Sequence, residues 1–159
     1  MPRTGAAAEA LEEAMATTLK TRLREDLNTA RKAREKLRTT VLSSTLAELR
    51  NHEIELGREA ADEDVVAVVS SAVKRRHEAA EQMRSGGRAE LAEGEEREAE
   101  ILSGYLPPPL SQDEVRALVR DAMAGGAASV GAVMGALMPA IKGRFDGREA
   151  NRIVREELG

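Results

Sequence analysis

The sequence predicts an all-α protein, in which a long-helix hairpin or bundle is followed by a small three-helix domain. The 159 residues include one phenylalanine, one tyrosine and no tryptophan, and 33% of them are charged. Leucine, alanine, glutamate, arginine and valine dominate, which is typical of helices with aliphatic cores. Aromatic and β-branched runs, which strands favour, are nearly absent. A β-sheet is therefore not expected.

The N-terminal helical domain is predicted to span residues 15–105. Residues 1–14 are small and polar and precede a second methionine, so they are interpreted as a disordered extension or as the result of an incorrect start site, and in either case as outside the fold. From residue 16 onward, apolar residues recur every three to four positions without a proline, which predicts one long amphipathic helix ending near Gly57. Its apolar positions are Leu19, Leu23, Leu27, Leu37, Val41, Leu42, Leu46 and Leu49.

A helical hairpin is predicted to complete this domain. Asp62 is a candidate N-cap for its first helix, which is expected to stop at Gly86-Gly87. Arg88 opens the returning helix, and five glutamates between positions 93 and 100 are expected to face solvent. The inward positions of that helix are predicted to be Leu91, Ala99 and Leu102.

A stiff linker and a second domain are predicted to follow. The run "LPPPL", residues 106–110, excludes helix because it contains three consecutive prolines. Residues 111–159 are predicted to form three short helices, of which Ser129 caps the second. Capping boxes are predicted to open the other two helices, from Ser111 with Glu114 and from Asp146 with Glu149.

Composition limits the classes of function. There is no cysteine, which excludes a disulfide framework and a zinc-thiolate site. No apolar run approaches the roughly 18 residues that span a bilayer, and the first residues lack a secretory h-region. We therefore expect a cytoplasmic protein without a membrane partner.

Charge is distributed unevenly along the chain, and residues 106–159 are balanced, with seven Lys/Arg against seven Asp/Glu. Residues 19–50 carry nine Lys/Arg against four Asp/Glu, whereas residues 51–105 carry seven against fourteen. The N-terminal surplus is interpreted as a complement to the acidic hairpin, and Arg24, Arg31 and Arg38 at heptad spacing suit pairing between helices. On this interpretation any RNA would bind the C-terminal end, since an acidic surface repels nucleic acid.

The C-terminal cluster surrounds a glycine-punctuated turn. On a helical wheel Arg148, Arg152 and Arg155 fall within about 60° of one another. Glycines at a turn permit close backbone approach, and a helix start favours an anion. The alternative is a solvated basic face with two ordinary glycine turns. The candidate nucleic-acid-binding residues are Lys142, Arg144, Arg148, Arg152 and Arg155, with Gly143 and Gly147 as backbone-approach glycines.

Other candidate sites have simpler explanations. His77 and Glu81 lie one helical turn apart, but the second histidine of a helical metal motif is missing, and His52 falls on a different helix. Met123, Met134 and Met138 suit either an adaptable partner surface or, preferably, the core of a three-helix module. No metal site and no cofactor are expected.

Three segments together resemble the GatB/YqeY family. They are "LRTTVLSSTLAELRNHEIELGRE", "AEILSGYLPPPLSQDEV" and "GAVMGALMPAIKGRFDGREANRIVREEL". The family comprises free-standing YqeY-like proteins and the homologous C-terminal tail of the B subunit of the tRNA-dependent amidotransferase. The resemblance implies a helical domain followed by a three-helix domain. It also implies association with tRNA, and it carries the family annotation of carbon–nitrogen ligase activity with glutamine as amido-N-donor.

The residues do not support catalysis by this chain. It has no cysteine nucleophile, no G-x-S-x-G serine and no phosphate-binding glycine loop, so no catalytic residue is expected. The sequence therefore favours a non-catalytic module that contacts tRNA or another structured RNA. The alternative is an adaptor that docks onto a translation-related enzyme, such as a tRNA-modifying or aminoacylation enzyme. Amide transfer by the chain itself is the least favoured interpretation.

Overall fold

The protein is described by a computed structural model, which covers Gly5 and residues 18–159. The predicted N-terminal extension, residues 1–14, falls outside these residues apart from Gly5. The described part of the chain contains seven helices and no strand, which confirms the all-α prediction. They are α1 Leu19–Lys32, α2 Lys36–Leu56, α3 Asp62–Ser85, α4 Ala89–Ser103, α5 Gln112–Ala124, α6 Val130–Ile141 and α7 Gly147–Leu158.

The helices form two compact units. Contacts divide the chain between Tyr105 and Leu106, so that α1 to α4 belong to the first unit and α5 to α7 to the second. No helix in the described part of the chain is long and apolar enough to cross a bilayer.

The predicted single N-terminal helix is wrong, because the chain breaks between α1 and α2. Arg34 has a left-handed backbone with φ of 58°. The Glu35 amide donates to the Ala30 carbonyl over 3.0 Å, and the Arg34 amide donates to the Arg31 carbonyl over 3.1 Å. This bond pattern is a Schellman motif, which ends a helix and usually has glycine at the left-handed position. Arginine stands there instead, so the sequence showed no helix stop.

Thr18 caps α1 of the first unit through its side chain, which accepts a hydrogen bond from the Thr21 amide.

The core of the first unit is aliphatic. The helices pack as two hairpins, α1 with α2 and α3 with α4. Their fully buried side chains include Leu23, Val41, Leu42, Leu49, Val65, Val69 and Leu102.

Two leucines predicted to face inward are exposed. Leu37 is 41% exposed, because the break at Arg34 gives α2 its own register. Leu91 is 53% exposed, since the buried face of α4 follows Ala92, Ala99 and Leu102, which are seven and three residues apart and share one face of the helix.

The prediction for Asp62 and the outward prediction for the α4 glutamates also need correction. Ala61, not Asp62, is the N-cap of α3, and the Asp62 carboxylate accepts a hydrogen bond from the Leu19 amide at the start of α1 over 2.9 Å. Of the five glutamates between positions 93 and 100 of α4, Glu93 and Glu100 are exposed. Glu95, Glu96 and Glu98 are half-buried, and two of them contact α3, since Glu98 bonds to Arg76 over 3.2 Å and Glu96 bonds to Arg84.

The second unit is a three-helix module around one apolar cluster. Ser111 and Glu114 form the predicted capping box of α5, and Ser129 caps α6 as predicted. The buried cluster comprises Val115, Val119, Val133, Leu137, Ile141, Ala150, Ile153 and Val154.

Only half of the second predicted capping box is present. Asp146 caps α7 by accepting from the Arg148 and Glu149 amides, at 2.9 and 3.0 Å. The Glu149 carboxylate does not complete the box, because it accepts from the Gln112 side chain over 2.5 Å instead. That bond fastens the start of α7 to the start of α5.

Candidate nucleic-acid interface

The turn between α6 and α7 carries the first predicted cations. Lys142 is the C-cap of α6 and is exposed, and its amide donates to the Met138 carbonyl over 3.0 Å. Gly143 follows with φ of 74°, a left-handed conformation that strains other residues. Gly143 is thus explained by the geometry of the turn, which needs no approaching ligand.

Arg144 is held inside this unit. Its guanidinium Nε donates to the Pro108 carbonyl over 2.9 Å, and its own carbonyl accepts from the Leu110 amide over 2.8 Å. Its side chain is half-buried. Arg144 therefore fixes the end of the proline-rich segment against the turn, a role that the sequence did not indicate.

The arginines of α7 are exposed and differ in their partners. Arg152 pairs with Glu156 at 2.5 Å and with Glu149 at 3.6 Å. Arg155 donates to the Asn151 side-chain oxygen over 2.9 Å. Arg148 makes no ion pair with any carboxylate in the described part of the chain, and the same holds for Lys142 and Arg155.

Gly147 opens α7. Its φ is outside the left-handed range, and a Cβ built at this position would meet no atom within 4 Å. The turn therefore does not require glycine here, in contrast to position 143.

The sequence interpretation missed a second ionic group in this unit. Arg116 on α5 reaches Glu156 at 2.7 Å and Glu157 at 3.2 Å, and Arg120 reaches Glu157 at 3.2 Å. The Arg116 guanidinium, and after it the charge of Arg152, holds the pKa of the Glu156 carboxyl below its usual range. The one-turn spacing of the two α5 arginines was a signal for this group, but their partners were not evident from the sequence.

The seven predicted residues thus differ in character. Four of the cations, Lys142, Arg148, Arg152 and Arg155, are exposed, and Arg152 is shared with two carboxylates. Pairs between exposed side chains contribute about 0–1 kcal/mol, so a phosphate can compete for Arg152. We call these four residues, together with Gly143 and Gly147, the basic edge.

Comparison with known proteins decides the family. The family model described as "Yqey-like protein" matches residues 20–158. The chain belongs to the YqeY family. This confirms the resemblance that three separate sequence segments indicated. The YqeY match covers α1 to α7 except Leu19, the first residue of α1, so it includes the basic edge.

A relative from a fungus is similar over most of the YqeY chain. It is "Altered inheritance of mitochondria protein 41, mitochondrial" from Pyrenophora tritici-repentis (strain Pt-1C-BFP). The two are 28% identical over 144 residues, which cover 87% of this chain and 80% of the relative. Its name associates that relative with mitochondrial inheritance.

In the first unit, the predicted pairing of the heptad arginines is largely wrong. Arg38 lies 3.9 Å from Asp26, which is in the same N-terminal hairpin. Arg24 and Arg31 make no ion pair with a carboxylate of the described residues, although, after the hydrogen bond from Lys20, the charge of Arg24 contributes to the lowered pKa of Glu53. The glutamates of the α3–α4 hairpin instead pair with arginines of that same hairpin, as Arg76 with Glu98 and Arg84 with Glu96 do. Intramolecular complementarity therefore leaves much of the N-terminal surplus unmatched.

Proposed function

We propose that this YqeY-family protein is a non-catalytic binding module that contacts the phosphate backbone of tRNA or another structured RNA through the basic edge. The observation that carries the proposal is the exposure of Lys142, Arg148 and Arg155 without a carboxylate partner among the described residues. Arg148 and Arg155 are on α7 and Lys142 lies in the turn before it. Exposed Lys and Arg side chains supply the sequence-independent part of RNA binding.

Contact with the backbone, and not with unstacked bases, fits the composition. Readers of single strands stack bases on aromatic side chains, and this chain has one phenylalanine and one tyrosine. Tyr105 is 4% exposed and Phe145 is half-buried against the core of the second unit, so neither offers an open stacking face. The planar guanidinium group of arginine can donate two hydrogen bonds to phosphate oxygens at once.

A binding role without catalysis is supported by the chemistry of the side chains. Release of ammonia from glutamine needs an activated nucleophile, and the sequence has no cysteine. His77 is exposed. We therefore read the family's carbon–nitrogen ligase annotation as a description of assemblies to which related domains belong. Glutaminase activity of the purified chain would contradict this part of the proposal.

Few cations are free to contact RNA, so we expect a modest affinity for RNA. Arg152 has to exchange its pairs with Glu149 and Glu156 for a phosphate, and Arg144 is engaged with the Pro108 carbonyl. Each remaining contact depends on counterion release and weakens as salt rises.

Binding of folded tRNA at low salt tests the proposal. Filter-binding titrations would compare the wild type with K142Q/R148Q/R155Q, which removes three exposed cations of the basic edge. The matched control, K74Q/R88Q/R97Q, removes three exposed cations from the α3–α4 hairpin. We expect at least a tenfold loss for the basic-edge variant and a clearly smaller loss for the control. Equal losses would contradict the proposal.

A protein adaptor is the second candidate function, and one side chain favours it. Met138 was predicted to lie in the core but is 41% exposed, on the helix that leads into the basic edge. An exposed methionine is an adaptable contact for a partner protein. A partner recovered after nuclease treatment and lost in Met138→Gln, together with no tRNA binding, would favour the adaptor.

A further inference from the structure

A cleft lies between α1 and α2 in the first unit, far along the chain from the basic edge. Its volume is about 400 Å³, within the range of small-ligand sites. Polar and charged side chains form most of its lining, and three leucines and one alanine form the rest. The residues used below are Arg24, Asn28 and Arg31 of α1, and Ser43, Arg50 and Glu53 of α2.

Helical periodicity explains why these side chains meet. Positions 24, 28 and 31 share one face of α1, and positions 43, 47 and 50 share one face of α2. The three-residue break at Ala33, Arg34 and Glu35 folds α2 back against α1, so the two faces oppose each other. The left-handed Arg34 is therefore what creates the cleft; one continuous helix would have none.

The charges of the cleft are only partly neutralised. Lys20, at one end, bonds to Glu53 over 2.7 Å and to Glu59 over 3.1 Å. Glu53 also accepts from the Ala60 amide over 2.8 Å, and both bonds are to its Oε2 atom. After these two hydrogen bonds, the charge of Arg24 is a further cause of the lowered pKa of Glu53. Arg24, Arg31 and Arg50 are exposed and make no ion pair with a carboxylate of residues 18–159. Three like charges around one cleft repel one another, and an anion would relieve that repulsion.

The kind of anion follows from the other lining groups. Seven of the eleven lining residues are polar or charged, and Leu27 and Leu49, two of the four apolar ones, are only 7% and 1% exposed. The lining therefore suits a charged ligand better than an apolar peptide side chain. Asn28 and Ser43 add neutral hydrogen-bond donors next to the guanidinium groups. Guanidinium forks bind phosphate oxygens in a bidentate manner, and a phosphate can accept from several donors at once.

We propose that the α1–α2 cleft binds a phosphate-bearing anion through Arg24, Arg31 and Arg50. The phosphate can belong to a small phosphorylated molecule or to an RNA backbone, and both present the same oxygens to the arginines. The residues of this site belong to the first unit and include none of the basic edge.

Titration of the full-length chain by two-dimensional amide NMR tests this site. Pyrophosphate is one probe and folded tRNA is the other. The variants are R24Q/R31Q/R50Q for the cleft and K74Q/R88Q/R97Q as the charge-matched control. Because all six positions are exposed, neither variant should lose the fold, and circular dichroism would verify this.

We expect pyrophosphate to shift amide signals of α1 and α2 at the cleft in a saturable way. The dissociation constant should rise at least fivefold in the cleft variant and by less than twofold in the control. Shifts with tRNA alone would assign the phosphate to RNA, and shifts with pyrophosphate alone would assign it to a small molecule. Absence of cleft shifts with both probes, or equal weakening in both variants, would overturn the proposal. Neither outcome bears on the basic edge, whose signals arise from the second unit.

Discussion

The phenol of Tyr105 donates a hydrogen bond to a carboxylate oxygen of Asp26, across 79 positions of the chain. The Arg22 guanidinium lies 4.9 Å from the centre of the same ring and donates to the Gly104 carbonyl over 3.2 Å. Tyr105 is the last residue of the first unit, and Asp26 and Arg22 are both on α1. The tyrosine before the proline run therefore ties the end of this unit to its first helix.

Ionisation of Tyr105 provides a direct test of this contact. Burial, and then the hydrogen bond to Asp26, raises the pKa of Tyr105 to about 12. The raised pKa adds stability that is complete below the ordinary value near 10 and is lost as pH rises through 12. Tyr105 is the only tyrosine and there is no tryptophan, so tyrosinate absorbance reports this group alone. We expect Asp26→Asn to move the pKa back towards 10; an unchanged pKa would contradict the contact.

Acid should weaken the first unit through Glu53. The hydrogen bond from Lys20, and then that from the Ala60 amide, lowers the pKa of the Glu53 carboxyl. A lowered pKa gives stability that is present above the ordinary value near 4.5 and is lost as pH falls through the folded-state value. We expect Glu53→Gln to reduce the free energy of unfolding at pH 7 and to flatten its dependence on pH below about 4.5. Urea titrations at several pH values measure both effects, with Glu55→Gln, an exposed neighbour, as the control.

The two glycines of the basic edge should respond differently to alanine. Gly143→Ala is expected to cost about 1–2 kcal/mol, because φ of 74° is left-handed. Gly147→Ala should leave stability unchanged or slightly higher, since α7 begins there and a Cβ meets nothing within 4 Å. Thermal unfolding of both variants measures this difference. If close approach of an RNA backbone needs Gly147, Gly147→Ala will weaken tRNA binding while the fold stays intact.

Removing one acidic partner should strengthen RNA binding. Glu156→Gln frees Arg152, which then keeps only the longer pair with Glu149, and Arg116 keeps its bond to Glu157. We expect a several-fold gain in affinity for folded tRNA at low salt and a steeper dependence on salt. Glu93→Gln, on the exposed face of α4, makes the same change in net charge and is the control. Equal affinities for the two variants would mean that Arg152 does not contact RNA.

Local signals in the sequence were sufficient to predict most of the helices. Ser111, Ser129 and Asp146 cap their helices as predicted, because a capping side chain acts on amides two or three residues away. The break at Arg34 was not predictable in this way. A left-handed arginine has no compositional signature, and its position is set by packing of α1 on α2.

Side-chain partners were harder to predict than helices. The five cations of the C-terminal cluster were found from spacing, yet Arg144 bonds to the Pro108 carbonyl and Arg152 to glutamates of its own helix. The α1–α2 cleft was missed because heptad spacing of Arg24 and Arg31 suits pairing and ligand binding equally well. Which carboxylate reaches which arginine depends on the register of helices far apart in the chain.

The salt dependence of tRNA binding tests the central claim most directly. Affinity of the full-length chain for folded tRNA would be measured over a range of salt concentrations, for the wild type and for K142Q/R148Q/R155Q. Each lost phosphate contact should reduce the slope of log affinity against log salt by roughly 0.7–0.9, so we predict a slope shallower by about 2 for the variant. Identical slopes, or wild-type affinity that does not change with salt, would contradict phosphate contact at the basic edge.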